Sequence, residues 1–507
     1  MLVPRQPRSS KMIQYWHAES ECKNSDSPQE SVPLVVDLDG TLLRSDLSFE
    51  SALRLAKQKP WLALLIPLWL LSGRAYVKRR IFQHIRIDMS LLPLHQELLA
   101  WLRNEKASGR QLILATGSDC GQARALVEPL GLFDAVLASD GRRNLKGRAK
   151  LKVIVETCGE SFDYVGNSSA DLEVWRGCRQ KVLVNAPRRV ERAVREAGNV
   201  ARVFPPSATG LRDAVRSMRC YQWVKNLLVF VPAITSHTIF DASVAVSAAL
   251  AFLSFGFSAS ATYILNDLLD LEEDRRHSAK KQRPFASGRT SIGCGILLAL
   301  ACFSASAMIA AFVSGAFVGA LMAYVALTSL YSFYLKRLLV VDVLALAMLY
   351  TLRVVAGHLA TGIPFSFWLL SFAFFLFLSL AFSKRAADLI QHRQENQKVL
   401  AGRGYVTTDL EAVCIAGMCS GFLSALVLAL YINSESVQLL YRRPAFLWGL
   451  QPILLYYITH LWVICRRGEL TEDPIQYTAM SPSTYGAALL AVLVLLAATF
   501  DPTSSLP

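Results

Sequence analysis

Nine apolar stretches fill the last 300 or so residues of this 507-residue chain, at roughly 223–239, 243–265, 292–313, 315–334, 339–359, 365–383, 409–432, 445–465 and 484–500. Each lies near the 17–25 residues that an α-helix needs to cross about 30 Å of hydrocarbon. Residues 208–507 are therefore expected to form an all-α bundle of nine membrane-spanning helices. Pro232 interrupts the first stretch, which membrane helices tolerate because neighbouring groups re-satisfy the freed backbone. The composition agrees, at 53% hydrophobic against about 45–50% in soluble domains.

Charge supplies an orientation. With the start of the bundle in the cytosol, the loops on that side carry Arg275, Arg276, Lys280, Lys281, Arg283, Arg289, Lys336, Arg337, Lys384, Arg385, Arg393, Lys398, Arg403, Arg466 and Arg467, and the opposite loops only Arg442 and Arg443. This is the positive-inside bias; the expected location is the inner (cytoplasmic) membrane, with residues 31–205 and the basic loops on the cytosolic side. The same clustering explains the formal net charge of +14 without a nucleic-acid partner. Ten cysteines without a CxxC pair point to buried thiols in a reduced compartment, not to a zinc site or a disulfide framework. The first 30 residues lack an apolar core and read as a loose tail without a signal peptide.

Residues 31–205 have different physics. VPLVVDLDG, RQLILATGSD, DAVLAS, FDYVGNS and QKVLVN are short apolar runs ending in polar turns, alternating with helical patterns. That is the signature of an α/β domain with a parallel sheet and crossover helices, here with a helical cap around 45–105. Trp61–Gly73 is almost wholly apolar and is followed by Arg74, Lys78, Arg79 and Arg80. Thirteen residues are too few to span a bilayer. The stretch suits either a helix lying in the membrane interface or a buried cap helix.

The richest chemistry closes the second apolar stretch, in Asn266-Asp267-Leu-Leu-Asp270-Leu-Glu-Glu-Asp274. A continuous helix would put Asp267, Asp270 and Asp274 on one face. Clustered carboxylates repel, and Mg²⁺ with a bound diphosphate would relieve the repulsion. A solvated acidic helix end is the plainer alternative, though acids at a C-terminal end oppose the helix dipole. The adjacent Lys280-Lys281-Gln-Arg283 loop can fold over phosphate oxygens. Other basic-polar ends repeat the mixture: Lys225-Asn226, Tyr334-Leu-Lys336-Arg337 and Lys384-Arg385-Ala-Ala-Asp388. Arg353 lies within a span, where an ionisable residue faces the bundle and is either functional or part of an internal salt bridge.

This NDxxDxxxD pattern in a nine-helix bundle resembles the UbiA-type prenyltransferase superfamily. QWVKNLLVFVP, NDLLDLEEDRRHSAKKQRPFASG, VVDVLALAMLYTLRVVAGHLATG, SKRAADL and ITHLWVICRRGELTEDPI, spread over about 212–500, are similar to the decaprenyl-phosphate phosphoribosyltransferase branch. The resemblance implies transfer of 5-phosphoribosyl from phosphoribosyl diphosphate to a polyprenyl phosphate lipid, with release of diphosphate. By the same resemblance Asn266, Asp267, Asp270 and Asp274 hold Mg²⁺, with Asp267 and Asp270 catalytic. Lys225, Asn226, Asn266, Lys281, Arg283, Lys336, Lys384 and Arg385 contact substrate, and Arg353 and Tyr334 meet the lipid phosphate. The second aspartate-rich motif of ordinary prenyltransferases is absent; Lys384-Arg385-Ala-Ala-Asp388 stands in its place, which suits a phosphorylated sugar.

Asp37-Leu-Asp39-Gly40-Thr41 resembles the haloacid dehalogenase superfamily of phosphatases, whose likeness runs over residues 35–175. It implies Asp37 as nucleophile, Asp39 as proton shuttle, Thr116 and Lys150 (Lys146 as runner-up) on the phosphoryl group, and Mg²⁺ on Asp37, Asp39, Asn167 and Asp171. Asn167 stands where the family carries an acid, and a neutral amide holds Mg²⁺ less tightly. A tethered phosphatase would remove the 5-phosphate from the transferase product. Rival readings are an aromatic prenyltransferase using a polyprenyl diphosphate, and a regulatory or inactive soluble domain. A transporter would need more polar or broken helices at midplane.

Overall fold

The structure is a computed structural model and describes residues 32–140, 144–205, 210–278, 280–395, 399–400, 402–470, 474, 477–478 and 481–499. The expected tail over 1–30 lies outside the described residues. The chain divides into two units, one comprising Met1–Ser217 with Leu265–Leu297 and the other Met218–Ile264 with Leu298–Pro507.

The first unit is built on a six-stranded sheet in the order β3-β2-β1-β4-β5-β6. The strands are β1 (Leu34–Val36), β2 (Leu112–Asp119), β3 (Ala135–Ser139), β4 (Asp163–Gly166), β5 (Lys181–Val184) and β6 (Val200–Phe204), and every pairing is parallel. Successive side chains of a strand face opposite ways, so each strand feeds two cores: Leu34, Val36, Leu112 and Leu114 lie on one face, Val35, Ile113, Ala115 and Tyr164 on the other. A parallel sheet covered on both faces needs such near-continuous apolar strands. Five strands match the sequence expectation. The sixth, VARVF, lies on the sheet edge with Ala201 and Arg202 exposed and is not among the runs expected from the sequence.

Helices α1 (Leu47–Gln58), α2 (Pro60–Ala63), α3 (Ile66–Leu70) and α4 (Arg74–His84) follow β1 and form the cap. Trp61–Gly73 is thus two short helices in place of one buried cap helix. Leu62, Ile66 and Trp69 pack on Leu55, Val77 and Ile81, while the outward side stays apolar and exposed. The remaining helices of the sheet layers are α5 (Gln96–Ala107), α6 (Cys120–Val127), α7 (Arg148–Cys158), α8 (Leu172–Gly177) and α9 (Arg188–Glu196), and α10 (Gly210–Met218) follows β6.

Beyond them come α11 (Val231–Thr235), α12 (Ala242–Leu269), α13 (Leu271–Arg276), α14 (Ile292–Val313), α15 (Gly315–Phe333), α16 (Val341–Thr361), α17 (Phe367–Gln394), α18 (Leu410–Ile432), α19 (Glu435–Leu440), α20 (Leu450–Arg467) and α21 (Pro482–Thr499). Among the described residues seven helices are long and apolar enough to cross a membrane, against the nine expected. The apolar run in α21, Thr484–Thr499, is shorter. The stretch 223–239 is not one α-helix: Cys220–Phe230 is a 3₁₀ helix, and α11 begins afresh with Pro232 in its first turn. Three residues per turn stack positions i and i+3, which buries Asn226 and Val229 together. Gly357 of α16 has no side chain because a Cβ there would strike the Val229 carbonyl.

Candidate functional site

β1 lies where the strand order turns back, flanked by β2 and β4. Open α/β sheets bind ligands beyond the strand ends at this switch point. Asp37 follows β1 directly, its N–H donating to the Val165 carbonyl at 3.0 Å. Gly40 then turns the chain at φ +76°, and a Cβ there would collide with the Asn167 carboxamide. The result is a cavity of roughly 350 Å³ onto which Asp37, Asp39, Lys78, Lys150, Asn167 and Asp171 open.

Lys150, on α7, joins the buried acids: its Nζ lies 2.7 Å from Asp37 Oδ1 and 3.4 Å from Asp171 Oδ1, and donates to the Tyr164 hydroxyl at 3.0 Å. Tyr164 in turn donates to Asp171 Oδ1 at 2.7 Å. Asp171 Oδ2 accepts the backbone N–H groups of Asn167 and Ser168. Thr41 donates to Asp37 Oδ2 at 3.1 Å. Burial, reinforced by the neighbouring acids, pushes the Asp37 carboxyl up to about 7 despite Lys150. Asp39 is also raised by burial. Its carboxylate accepts from Leu47 N–H at 2.9 Å, Ser118 Oγ at 2.6 Å and Thr116 Oγ1 at 3.3 Å.

The structure therefore gathers Asp37, Lys150, Asn167 and Asp171 as the sequence suggested. It ties Thr116 and Asp39 to each other, and both Asp39 oxygens are taken by hydrogen bonds. Lys146, the alternative lysine, also lines the cavity but is exposed. Two carboxylates and a carboxamide border this open cavity, oxygen donors of the kind Mg²⁺ takes, although among the described residues no three acidic, His or Cys side chains converge there. Tyr164, Ser118 and Lys78 were not foreseen. Lys78 donates to the Gly117 carbonyl at 2.6 Å, and burial lowers its ammonium pKa. A tyrosine at the end of an apolar strand carries no motif, so only the fold reveals its hydroxyl.

The acidic segment also belongs to the first unit. The helix does not continue through it: α12 stops at Leu269, and Asp270 is the non-helical cap of α13. The break parts the three aspartates expected on one face. Asp267 and Asp274, both buried, converge on one nitrogen of Arg283, at 3.1 and 2.7 Å. Asp270 turns to Lys57 of α1 at 2.7 Å, and Lys57 also meets Glu273 at 2.6 Å. Arg54 pairs with Glu272, and Arg275 forks onto Glu50 at 2.6 and 3.1 Å. Among the described residues no three His, Cys, Asp or Glu side chains converge on a point. Two buried carboxylates share one cationic nitrogen, and their oxygens are of the kind Mg²⁺ takes. Burial raises Asp274 in spite of Arg283. Asn266 is half-buried and Lys281 exposed.

In the second unit Arg353 is buried in α16. It donates to Asn226 Oδ1 at 2.9 Å, the Leu349 carbonyl at 2.6 Å and the Tyr324 hydroxyl at 3.1 Å. Its guanidinium lies 4.8 Å from the Tyr324 ring centre. All these partners are neutral, unlike the internal salt bridge weighed as the plain alternative. Asn226 is buried, and among the described residues its Nδ2 has no hydrogen-bond partner; Lys225 beside it is buried too. Arg385 departs from the expected phosphate contact. It is fully buried against Asp342 at 2.7 Å and Asp388 at 2.6 Å, with Tyr405 donating to Asp342 at 2.6 Å. Such a pair joins helices. Tyr334 is exposed at the end of α15, while Lys336 and Lys384 are half-buried. An apolar cavity of roughly 950 Å³ lies among Phe372, Leu376, Leu380, Leu428, Leu454 and Ala491.

Residues 227–457 match the UbiA prenyltransferase family. An uncharacterised Sinorhizobium fredii protein, y4nM, is 33% identical over 482 residues, covering 94% of this chain and 93% of that one. The decaprenyl-phosphate phosphoribosyltransferase of Corynebacterium glutamicum is 34% identical over 189 residues, 36% of this chain and 57% of that one. A solved UbiA homolog from Archaeoglobus fulgidus, bound to GPP and Mg²⁺, is similar at 19% identity and a TM-score of 0.42, covering 56% of this chain and 96% of that one. With its seven spanning-length helices, the chain is a multi-pass membrane protein that belongs, through residues 227–457, to the UbiA prenyltransferase family.

Proposed function

We propose that the membrane domain, residues 208–507, transfers 5-phosphoribosyl from phosphoribosyl diphosphate to polyprenyl phosphate at the cytosolic face of the inner membrane. The soluble domain, residues 31–205, is a haloacid dehalogenase-like phosphatase that removes the 5-phosphate from the product. The observation that carries the transferase reading is the convergence of Asp267 and Asp274 on Arg283. Acids for a divalent ion beside a guanidinium for phosphate oxygens are the two halves a diphosphate donor needs. The relative named decaprenyl-phosphate phosphoribosyltransferase supplies the nature of donor and acceptor.

In this reading Asn266, Asp267 and Asp274 would hold Mg²⁺, joined by Asp270 once it leaves Lys57, and the ion would draw charge from the departing diphosphate. Arg283 and Lys281 bind the donor's phosphates. Arg353, held by Asn226 and Tyr324, presents its charge to the lipid phosphate. The lipid phosphate is already ionised near pH 7, so positioning and electrostatics carry the reaction. The 950 Å³ apolar cavity suits an isoprenoid chain.

In the soluble domain Asp37 attacks phosphorus, Lys150 holds the nucleophile in place, and Asp39 moves the proton. Tethering raises the effective concentration of the product at this second site. The amide of Asn167 favours a second reading, a catalytically silent module.

Phosphoribosyl diphosphate labelled in the ribose, offered with polyprenyl phosphate to membranes carrying the protein, should label the lipid, and Asp267→Ala should abolish the label. Label-free lipid in the wild type refutes the transferase reading and leaves the aromatic prenyltransferase. Mass spectrometry of the lipids should show the 5-phosphate retained by Asp37→Asn and lost in the wild type. Identical lipids from the two refute the phosphatase and leave the silent module.

A further inference from the structure

The cap carries a surface that neither candidate site uses. From Trp61 to Leu71 there is no polar or charged side chain. Amphipathic helices at a protein surface normally show polar residues to water. Here α2 and α3 bury one apolar side, Leu62, Ile66 and Trp69, against α1 and α4, and present a second apolar side outward. Leu64 is 82% and Leu71 84% exposed, with Trp61, Leu65, Leu68 and Leu70 exposed beside them. Contiguous apolar patches of this kind mark an interaction surface.

Along the chain the flanking charge is of one sign: no acid occurs between Glu50 and Asp88, and Arg74, Arg79 and Arg80 are all exposed just past this segment. Tyr76, also exposed, has the amphipathic ring that favours the headgroup level. The apolar run is too short to span hydrocarbon. Apolar side chains one turn deep beneath a fringe of arginines complement an anionic leaflet: acyl chains take the leucines and headgroup phosphates take the guanidiniums. The chain's spanning-length helices keep a bilayer permanently at hand.

We infer that the Trp61–Leu71 segment is a membrane-interface anchor, bedded at the headgroup–acyl boundary of the anionic leaflet. It holds the cap of the soluble domain at the lipid surface. The partner is the bilayer itself, and neither a second copy of the chain nor another protein is required.

The test uses the full chain, one molecule per lipid nanodisc. An environment-sensitive fluorescent amino acid placed at position 68, an exposed site, reports its surroundings. In discs with anionic lipid its emission should shift to the blue, and lipids brominated near the carbonyl should quench it at least twofold. Trypsin cleavage after Arg74, Arg79 and Arg80 should be slow in the same discs. It should speed up at least tenfold in the triple variant Leu64→Ser, Leu68→Ser, Leu71→Ser, and severalfold in purely zwitterionic discs. Water-like emission without quenching overturns the inference. So does equal cleavage in wild type and triple variant, or a blue shift seen only when two chains share a disc.

Discussion

Glu50→Gln tests how the acidic helix α13 is held. The Arg275 guanidinium forks onto the Glu50 carboxylate at 2.6 and 3.1 Å, both side chains being less than a tenth exposed, at 7% and 6%. The other ties of α13 are weaker. Arg54 with Glu272, Lys57 with Asp270 and Glu273, and Arg276 with Asp88 are part-exposed pairs worth about 0–1 kcal/mol each. Breaking a buried pair by removing one partner costs roughly 3–5 kcal/mol, since it strands a buried charge. Glutamine keeps one acceptor, and Arg275 keeps its bond to the Ala286 carbonyl at 3.0 Å, so the lower end, about 3 kcal/mol, applies. At about 1.4 kcal/mol per tenfold, that is roughly a hundredfold greater opening of α13. Hydrogen exchange of peptides covering Leu271–Arg276 should accelerate by that factor in Glu50→Gln. The exchanged-charge pair Glu50→Arg with Arg275→Glu should recover most of the protection. Exchange within threefold of wild type in Glu50→Gln, or no recovery in the double variant, refutes the reasoning.

Arg385→Ala should lower the yield of folded protein and its thermal midpoint in detergent, through a loss of about 3–5 kcal/mol from the buried Asp342 pair; a change in donor KM alone, with stability intact, would mark Arg385 as a phosphate contact. Lys150→Met should cut release of phosphate from a phosphomonoester at least 100-fold, as removal of a preorganised charge does, while the transferase label still reaches lipid. Asp163 is held below the usual carboxylate range: burial raises it, but hydrogen bonds and charge from Arg179 and Arg110 outweigh that. A depressed folded pKa stabilises above the unfolded value of about 3.9 and loses that contribution as pH falls through the folded pKa. The soluble unit of Asp163→Asn should therefore show a shallower loss of stability below about pH 4 than the wild type, read by near-ultraviolet circular dichroism; identical acid titrations would contradict this.

Membrane residence, the parallel sheet and the residues around Asp37 were legible in the sequence because each rests on local periodicity or spacing. Long apolar runs need a bilayer, β-branched runs ending in DLDGT need a strand end, and Lys150 and Asp171 follow at spacings the fold brings back to Asp37. Other features depend on distant partners. The sixth strand is an edge strand whose apolar run is interrupted by the exposed Arg202. Asp270 sits in a break of the helix and turns to Lys57, 213 residues away. Glu50 reads as an ordinary surface acid until Arg275 arrives beside it. Arg385 reads as a basic loop residue until Asp342 buries it. The outward side of Trp61–Leu71 was ambiguous because periodicity cannot tell a core face from a lipid face.

The sequence alone determined which segments leave water and which chemical groups stand at their ends, since hydrophobic run length and motif spacing act along the chain. Tertiary structure alone decided which carboxylate meets which cation. That choice turns on charges brought together from segments up to 225 residues apart and stripped of water, which no local pattern encodes.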